Sequence, residues 1–369
     1  MENGADELVK PSTIVVVGNG LDLHCGLKSS FKDFFDSKLM LENDMFKNFA
    51  ILKNIWYLIF TFAFMIRHNE SGSIVPSVNN DNPLWMDVEN YIDKVFKTKD
   101  SRTELKIYDF INNELHNHTN FETYLANYIV NITGDPANQK SLIAQRVSEL
   151  KRIFNKPEDL LMGELKQFEE DFTLYMKEEI EQNKDTYEKK LTNFLSNELK
   201  LQNLNDLFIL SFNYSTNFKN IVKSENVVNI HGTLDQNNII IGTGDNEKGG
   251  LPGRDNFKKT NRRIKDNFGS LRLPEKENIK EIIFYGCSFS TQDYNYYQLI
   301  FKKFELEKPK IIFKFLYSNF GETEEENNKN KDKYYEKMSE AVNQYLEKTK
   351  SNINLADLYN DGYIKFEPI

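Results

Sequence analysis

A chain of 369 residues with 39% hydrophobic content, 28 Phe and 18 Tyr among it, has the bulk for a sizeable core in one large domain or two. Its formal net charge of −9 argues against a general nucleic-acid-binding surface, because such affinity comes mainly from neutralising phosphates. Two cysteines, Cys25 and Cys287, far apart and without a C-x-x-C pair, exclude a disulfide framework and a structural zinc site.

The opening MENGADELVK lacks a basic n-region and an apolar core, so no signal peptide is expected and a cytoplasmic location is the plain reading. Next comes a run of five β-branched residues, Thr13 to Val17, which favours a buried strand. The chain then turns on Gly18 and Gly20, and from Leu27 to Phe35 the pattern reads as a helix start. A strand that ends in a glycine turn and feeds a helix frames many nucleotide sites. Bare glycine admits a phosphate to the backbone, and the helix start supplies N–H donors. The spacing is G-x-G-x5-G, not the dehydrogenase G-x-G-x-x-G, which weighs against ordinary hydride transfer. The plainer alternative is a tight turn with no ligand.

Asn54 to Ile66 is nearly all apolar and reads as a buried helix, since its 13 residues fall short of the roughly 20 that cross a bilayer. A membrane-associated or oligomer-contacting helix is the other reading of such a stretch. Residues 69–83 read as a polar loop, and Trp85-Met86-Asp87-Val88-Glu89 opens a helix toward Phe96. Asp87 and Glu89, two apart, point in different directions on a helix and suit an acidic first turn better than a metal pair. After Asn155-Lys-Pro157, the series Leu160, Leu161, Leu165, Phe168, Phe172 and Tyr175 has helical spacing. His116 and His118 read as surface loop residues. Residues 38–205 therefore read as a helical insertion domain, set between the first strand and the rest of a nucleotide-binding α/β domain, 1–37 with 206–369.

Further strands are expected at 206–211, 227–230, 239–241, 281–285 and 311–317. The first four end in small or polar residues, at Asn213, His231, Gly242 and Ser288. In open α/β sheets ligands sit beyond the carboxyl ends of the strands, so these four are expected to converge on the Gly18 to Asp22 turn. Residues 248–274 are locally basic. Lys259, Arg262 and Arg263 read either as a solvated face or as a lid over phosphates. Residues 321–334 read as a mobile charged loop, followed by a helix over about 334–348 and a short extended end.

Gly18-Asn19-Gly20-Leu21-Asp22 with Gly26-Leu27, Trp85-x-Asp87-Val-Glu89, Ser211-Phe-Asn213-Tyr214, Ile230-His231-Gly232 and Tyr285-Gly286-Cys-Ser288-Phe289 with Asp293 together resemble the AbiH family of phage abortive-infection proteins. Cys287 departs from the His common there. The same motif order is similar, more distantly, to the sirtuin (SIR2) superfamily. Gly18, Gly20 and Gly26 match its G-A-G-x-S-x3-G loop, residues 211–215 its T-Q-N-x-D segment, His231-Gly232 its His-Gly, and 286–288 its G-T-S. That resemblance implies a sirtuin-like, Rossmann-type parallel sheet and an NAD+ site formed by Gly18, Asn19, Gly20, Asp22, Ser211, Gly286 and Ser288. It implies that Asn213 holds the nicotinamide ribose and a water, and that His231 is the general base. Asp22 stands where sirtuins have Ser, and Ser215 where they have Asp. The four zinc cysteines of the deacylases are missing, against protein deacylation.

The two resemblances together imply phage defence by NAD+ hydrolysis, with NAD+ as substrate, no further cofactor and no metal. A phage-derived activator and a homo-oligomer are compatible partners, while membrane and nucleic acid are not expected. The readings from other classes are a sensor of NAD or ADP-ribose that does not cleave it, and a metal-dependent hydrolase or nuclease using Asp22, Asp87 and Glu89.

Overall fold

The computed structural model describes residues 11–39, 54, 56–57, 60, 66–68, 74–76, 87–96, 157–201, 203–215, 218, 221–245, 253–318 and 323–369. Trp85 and all of 97–156, His116 and His118 among them, lie outside these. Contacts gather the chain into two compact units. The first comprises residues 1–29, 176–239 and 268–369, and the second 30–175 and 240–267. Residues 38–175 of the expected insertion thus fall in the second unit, while 176–205 group with the sheet and 240–267 with the second unit.

The first unit is built on six parallel strands. They are β1 (Thr13–Val17), β2 (Leu207–Ser211), β3 (Val227–Asn229), β4 (Glu281–Tyr285), β5 (Ile312–Tyr317) and β6 (Ile364–Pro368), and their order across the sheet is β3-β2-β1-β4-β5-β6. This is the doubly wound order of dinucleotide-binding folds, with the switch point between β1 and β4. The short extended end of the chain is the edge strand β6. Strands covered on both faces read as continuous apolar runs, and β1, β2 and β4 do so. Alternation splits them cleanly. Ile14, Val16, Leu210 and Phe284 pack with Tyr297, Phe301 and Val342 in one core, and Val15, Val17, Ile209 and Tyr285 pack with Leu21, Tyr187, Leu191 and Phe194 in another.

Among the described residues the α-helices are α1 (Asn19–His24), α2 (Phe31–Leu39), α3 (Asp87–Val95), α4 (Pro157–Asn193), α5 (Lys259–Lys265), α6 (Tyr294–Lys303), α7 (Glu324–Thr349) and α8 (Leu355–Asn360). A short helix therefore follows Gly18 at once, ahead of the expected start at Leu27. The charged segment 321–334 is no loop from residue 324 on. It is the first part of α7, opened by a capping box in which Thr323 accepts the Glu326 N–H and the Glu326 side chain accepts the Thr323 N–H. Ile239–Ile241 is not a strand: its residues are buried, but the nearest ladder contact is a single bridge between Thr243 and Lys258.

In the second unit, Asn54, Trp56, Tyr57 and Phe60 are buried as expected of an internal segment. Ile66 instead begins a strand, Ile66–His68, paired antiparallel with Ile74–Pro76. The aromatic rings of Phe34, Tyr57, Phe60 and Phe168 pack together, with centroid separations of 5.2 Å for Tyr57–Phe168 and for Phe60–Phe168, and 5.6 Å for Phe34–Phe168. Among the described residues no helix is long and apolar enough to cross a membrane.

Candidate functional site

The carboxyl ends of the strands form one row. Val17 pairs with Ser211 and Tyr285, Ser211 with Asn229, and Tyr285 with Leu316. The residues beyond this row are Gly18 after β1, Asn213 after β2, His231 after β3 and Ser288 after β4. Two strand spacings of ~4.8 Å separate β3 from β1, so Gly18 and His231 lie on the order of 10 Å apart at their backbones. Gly242 falls in the second unit.

The two glycine turns at the switch point lock onto each other. Gly18 N–H donates to Tyr285 O and Gly20 N–H to Gly286 O, both at 3.0 Å. A Cβ on Gly18 would stand 2.4 Å from Gly286 O, and one on Gly20 2.6 Å from Gly286 Cα. Gly286 itself has φ +66, and a Cβ there would stand 2.6 Å from the Leu21 nitrogen. The bare backbone of these glycines serves a turn-to-turn contact, and the Gly18 and Gly20 N–H donors are bonded within it. Asn19 opens α1 and is half-buried.

Behind the turn stands a buried carboxylate. Asp22 is 1% exposed, and its Oδ1 accepts from Tyr187 Oη at 2.5 Å and from Ser215 Oγ at 3.0 Å. Burial pushes its pKa up to about 6, against the pull of hydrogen bonding from Tyr187, Ser215 and the Asn213 side chain. Cys25, at the end of α1, has its thiol pushed up to about 12 by burial and by the Asp22 charge.

The loop after β2 is held from two sides. The Ser211 hydroxyl accepts the Asn213 N–H at 3.1 Å, so Ser211 works on this loop's backbone. Asn229 Nδ2 donates to Asn213 O at 3.1 Å and to Ser215 O at 3.2 Å. The Asn213 side chain, 2% exposed, lies by Asp22, yet neither its Nδ2 nor its Oδ1 makes a hydrogen bond of ordinary geometry. A buried amide normally satisfies both atoms, so this one is an exception that calls for a partner.

His231 follows β3 and is also buried. Its Nε2 is 3.0 Å from Asp293 Oδ1, at an angle outside a good hydrogen bond. Phe212 and Tyr296 meet its ring edge-on, at 5.5 and 5.8 Å between centroids. Gly232 after it has φ +80, and a Cβ there would stand 2.1 Å from Asn238 O. The glycine of this His-Gly pair is therefore set by the turn. Ser288 is half-buried, and its hydroxyl accepts the Ser290 N–H at 3.3 Å.

A family model described as bacteriophage abortive infection AbiH matches residues 14–315, well over half of the chain. The chain belongs to the AbiH family. Membership implies a part in phage abortive-infection defence. No curated protein and no solved structure matches the chain. The matched span of this AbiH protein takes in Gly18, Asp22, Asn213, His231, Ser288 and Asp293.

Three residues of the edge escape a reading of the sequence for roles. Tyr187 lies in a Lys- and Glu-rich stretch of α4 with nothing to mark it. Asn229 reads only as part of a strand. Asp293 stands among the motif residues, but its pairing with His231 bridges 62 positions and has no periodic signal. The basic segment also resolves differently from both of its readings. Lys259 Nζ is 2.7 Å from Glu89 Oε2, Arg262 holds Glu169 by two bonds of 2.5 and 2.7 Å, and Arg254 pairs with Asp93 at 2.5 Å. Lys259, Arg262 and Arg254 are buried in ion pairs within the second unit, not on a solvated face.

Proposed function

We propose that this AbiH protein defends by hydrolysing NAD+ to nicotinamide and ADP-ribose at the carboxyl edge of β1, β2, β3 and β4. The observation that carries the reading is the Asn213 carboxamide, buried at this edge with neither polar atom hydrogen-bonded. A ribose hydroxyl and a water supply the donors and acceptors it lacks. The two departures from the sirtuin pattern also meet in space, since Ser215 donates to Asp22. Exchanging Ser and Asp between these positions leaves one hydroxyl and one carboxylate in the same place.

The chemistry asks little of the protein. The C1′–N bond of the nicotinamide riboside breaks with its electron pair going to nicotinamide, which leaves neutral, so no general acid is needed. Water adds to the oxocarbenium-like C1′, and His231 takes the proton that the water loses. Asn213 orients the water and ribose. The Asp293 carboxylate beside Nε2 favours the tautomer with the proton on that nitrogen, which leaves the Nδ1 lone pair as base.

The metal-dependent reading loses one of its carboxylates, because Glu89 is committed to Lys259 and to the Gly242 N–H. The sensor reading keeps the same edge and differs only in turnover. The test is NAD+ measured through phage infection in cells carrying the parent, His231→Ala or Asn213→Ala. NAD+ is expected to fall with the parent only, and both variants are expected to lose protection. Equal protection by parent and His231→Ala, with NAD+ level in both, would overturn the hydrolase reading.

A further inference from the structure

The geometry points to Asp22 as the positioning residue for Asn213: held by Tyr187 and Ser215, its carboxylate turns the Asn213 amide so that Nδ2 faces Asp22 and Oδ1 faces the reacting groups. The inference rests on the function proposed for this edge. It assigns Asp22 a role through Asn213, in place of direct contact with a ribose.

An asparagine side chain has two near-isosteric orientations, one presenting a donor pair and the other an acceptor. What lies beside it decides between them. A carboxylate accepts only, so it attracts the NH2 and repels the carbonyl oxygen. Asp22 is well placed to decide. Tyr187 and Ser215 both donate to its Oδ1, which fixes the plane of the carboxylate and leaves the other oxygen for the amide. The loop cannot drift away, because Ser211 and Asn229 hold its backbone at Asn213 and Ser215. The Asn213 side chain lies by Asp22 with neither polar atom in an ordinary hydrogen bond, and the carboxylate draws Nδ2 rather than Oδ1 toward itself. Oδ1 is left as the acceptor that orients an attacking water or a ribose hydroxyl.

The arrangement makes Asn213 sensitive to the charge on Asp22. Protonated Asp22 carries a hydroxyl and no longer discriminates between the two ends of the amide. The groups facing Asp22 are Tyr187 from α4, Ser215 and Asn213 from the loop after β2, and Cys25 from the end of α1. Lys190 and Glu198 act on Cys25 in turn. Tyr187 and Cys25 keep their protons at neutral pH, since burial raises both. Among the groups that face Asp22 directly, Asp22 itself is the one whose pKa lies near 6.

The experiment needs no turnover. In the full chain labelled with 15N-asparagine, the Asn213 side-chain NH2 pair is identified by its loss in Asn213→Ala and followed from pH 4.5 to 8. In the parent it is expected to shift with a midpoint near pH 6. In Asp22→Asn the shift is expected to vanish. In Tyr187→Phe the midpoint is expected to rise, because the lost hydrogen bond favoured the ionised form. Should Asp22→Asn not fold, Tyr187→Phe alone decides. An Asn213 NH2 pair that ignores pH in the parent, or a midpoint unmoved in Tyr187→Phe, overturns the assignment whether or not the protein acts on NAD+. Where turnover is measurable, Asp22→Asn is expected to lower kcat at least ~10-fold with little change in KM, as for a lost transition-state interaction. A chain that shows the titration but neither binds nor cleaves NAD+ sinks the proposed function and leaves the Asp22–Asn213 coupling standing.

Discussion

The two units treat buried polarity in opposite ways. In the second, buried cations have carboxylate partners: Arg262 with buried Glu169, Arg254 with buried Asp93, and Lys259 with half-buried Glu89. Arg262 also donates to Ile241 O, and Glu169 accepts the Ile241 N–H, so the pair secures an irregular backbone stretch. At the carboxyl edge of the first unit, Asp22 is buried against neutral hydroxyls and Asn213 keeps two unbonded polar atoms. Paired charge is what a scaffold needs. Carboxylates without a cation and unbonded amides cost stability, and they persist where something other than stability is being served. The contrast supports the sheet edge as the site of the function proposed above.

The largest expected effect lies on the scaffold side. Arg262→Ala leaves Glu169 buried without its cation, and removing one partner of such a pair costs about 3–5 kcal/mol. Urea denaturation is expected to show that loss. The double variant Arg262→Met/Glu169→Leu removes both charges and is expected to recover most of it. If the single variant matches the parent, the second unit is not held by its ion pairs and the contrast collapses.

The edge responds with the opposite sign. Asp22 binds its proton more tightly in the fold than in the unfolded chain, with a pKa of about 6 against the usual 3.8. Its contribution to stability is therefore full below about pH 4 and is lost as pH rises through about 6. Asp22→Asn keeps an acceptor for Tyr187 and Ser215 but cannot ionise. The variant is expected to gain ~3 kcal/mol over the parent at pH 7 and little at pH 4, from ~1.4 kcal/mol per pH unit over the gap. Denaturation of both proteins at the two pH values reads the difference directly. A variant less stable than the parent at pH 7 would show that the carboxylate serves the fold.

The glycine turns come next. Gly286→Ala forces a Cβ to 2.6 Å from the Leu21 nitrogen at a positive φ, and Gly20→Ala one to 2.6 Å from Gly286 Cα. Overpacking of this kind costs about 1–3 kcal/mol. Both are expected to lower the melting temperature, Gly286→Ala the more. A ligand-only role predicts instead that such variants, and the bulkier Gly20→Val, keep the parent's stability and lose only binding.

What the sequence disclosed and what it hid follow one physical line. The strands were legible because a sheet covered on both faces demands unbroken β-branched or aromatic runs, as in Thr13–Val17 and Ile282–Phe284. Their polar endings were legible as one edge, because parallel strands must all point the same way. The same apolar signal misled at Ile239–Ile241, since three buried isoleucines look alike in a ladder and in an irregular segment. The glycines at 18 and 20 announced a close approach but not what approaches, and the backbone of Gly286 takes that place. Tyr187 lies 165 residues from Asp22, and no local pattern encodes a hydrogen bond of that reach.

The smallest expected effect concerns the segment whose composition pointed furthest from its structure. Residues 324–334 carry three glutamates, three asparagines and no apolar residue before Tyr334, which describes a chain with little to bury. Helix α7 includes them because its later turns bury Met338, Val342 and Tyr345, and because its start is well made. Glu324, Glu325 and Glu326 lie at the positive end of the helix dipole, and Thr323 closes the capping box with Glu326. The anchored half and the cap together hold an exposed stretch that would not be helical alone. Thr323→Ala removes the side-chain acceptor for the Glu326 N–H and is expected to cost about 1 kcal/mol at most. The loss should appear as faster amide exchange over 324–334, with exchange at Val342 and Tyr345 unchanged. If exchange rises equally along all of α7, the helix opens as one unit and the cap, not the buried half, sets its stability.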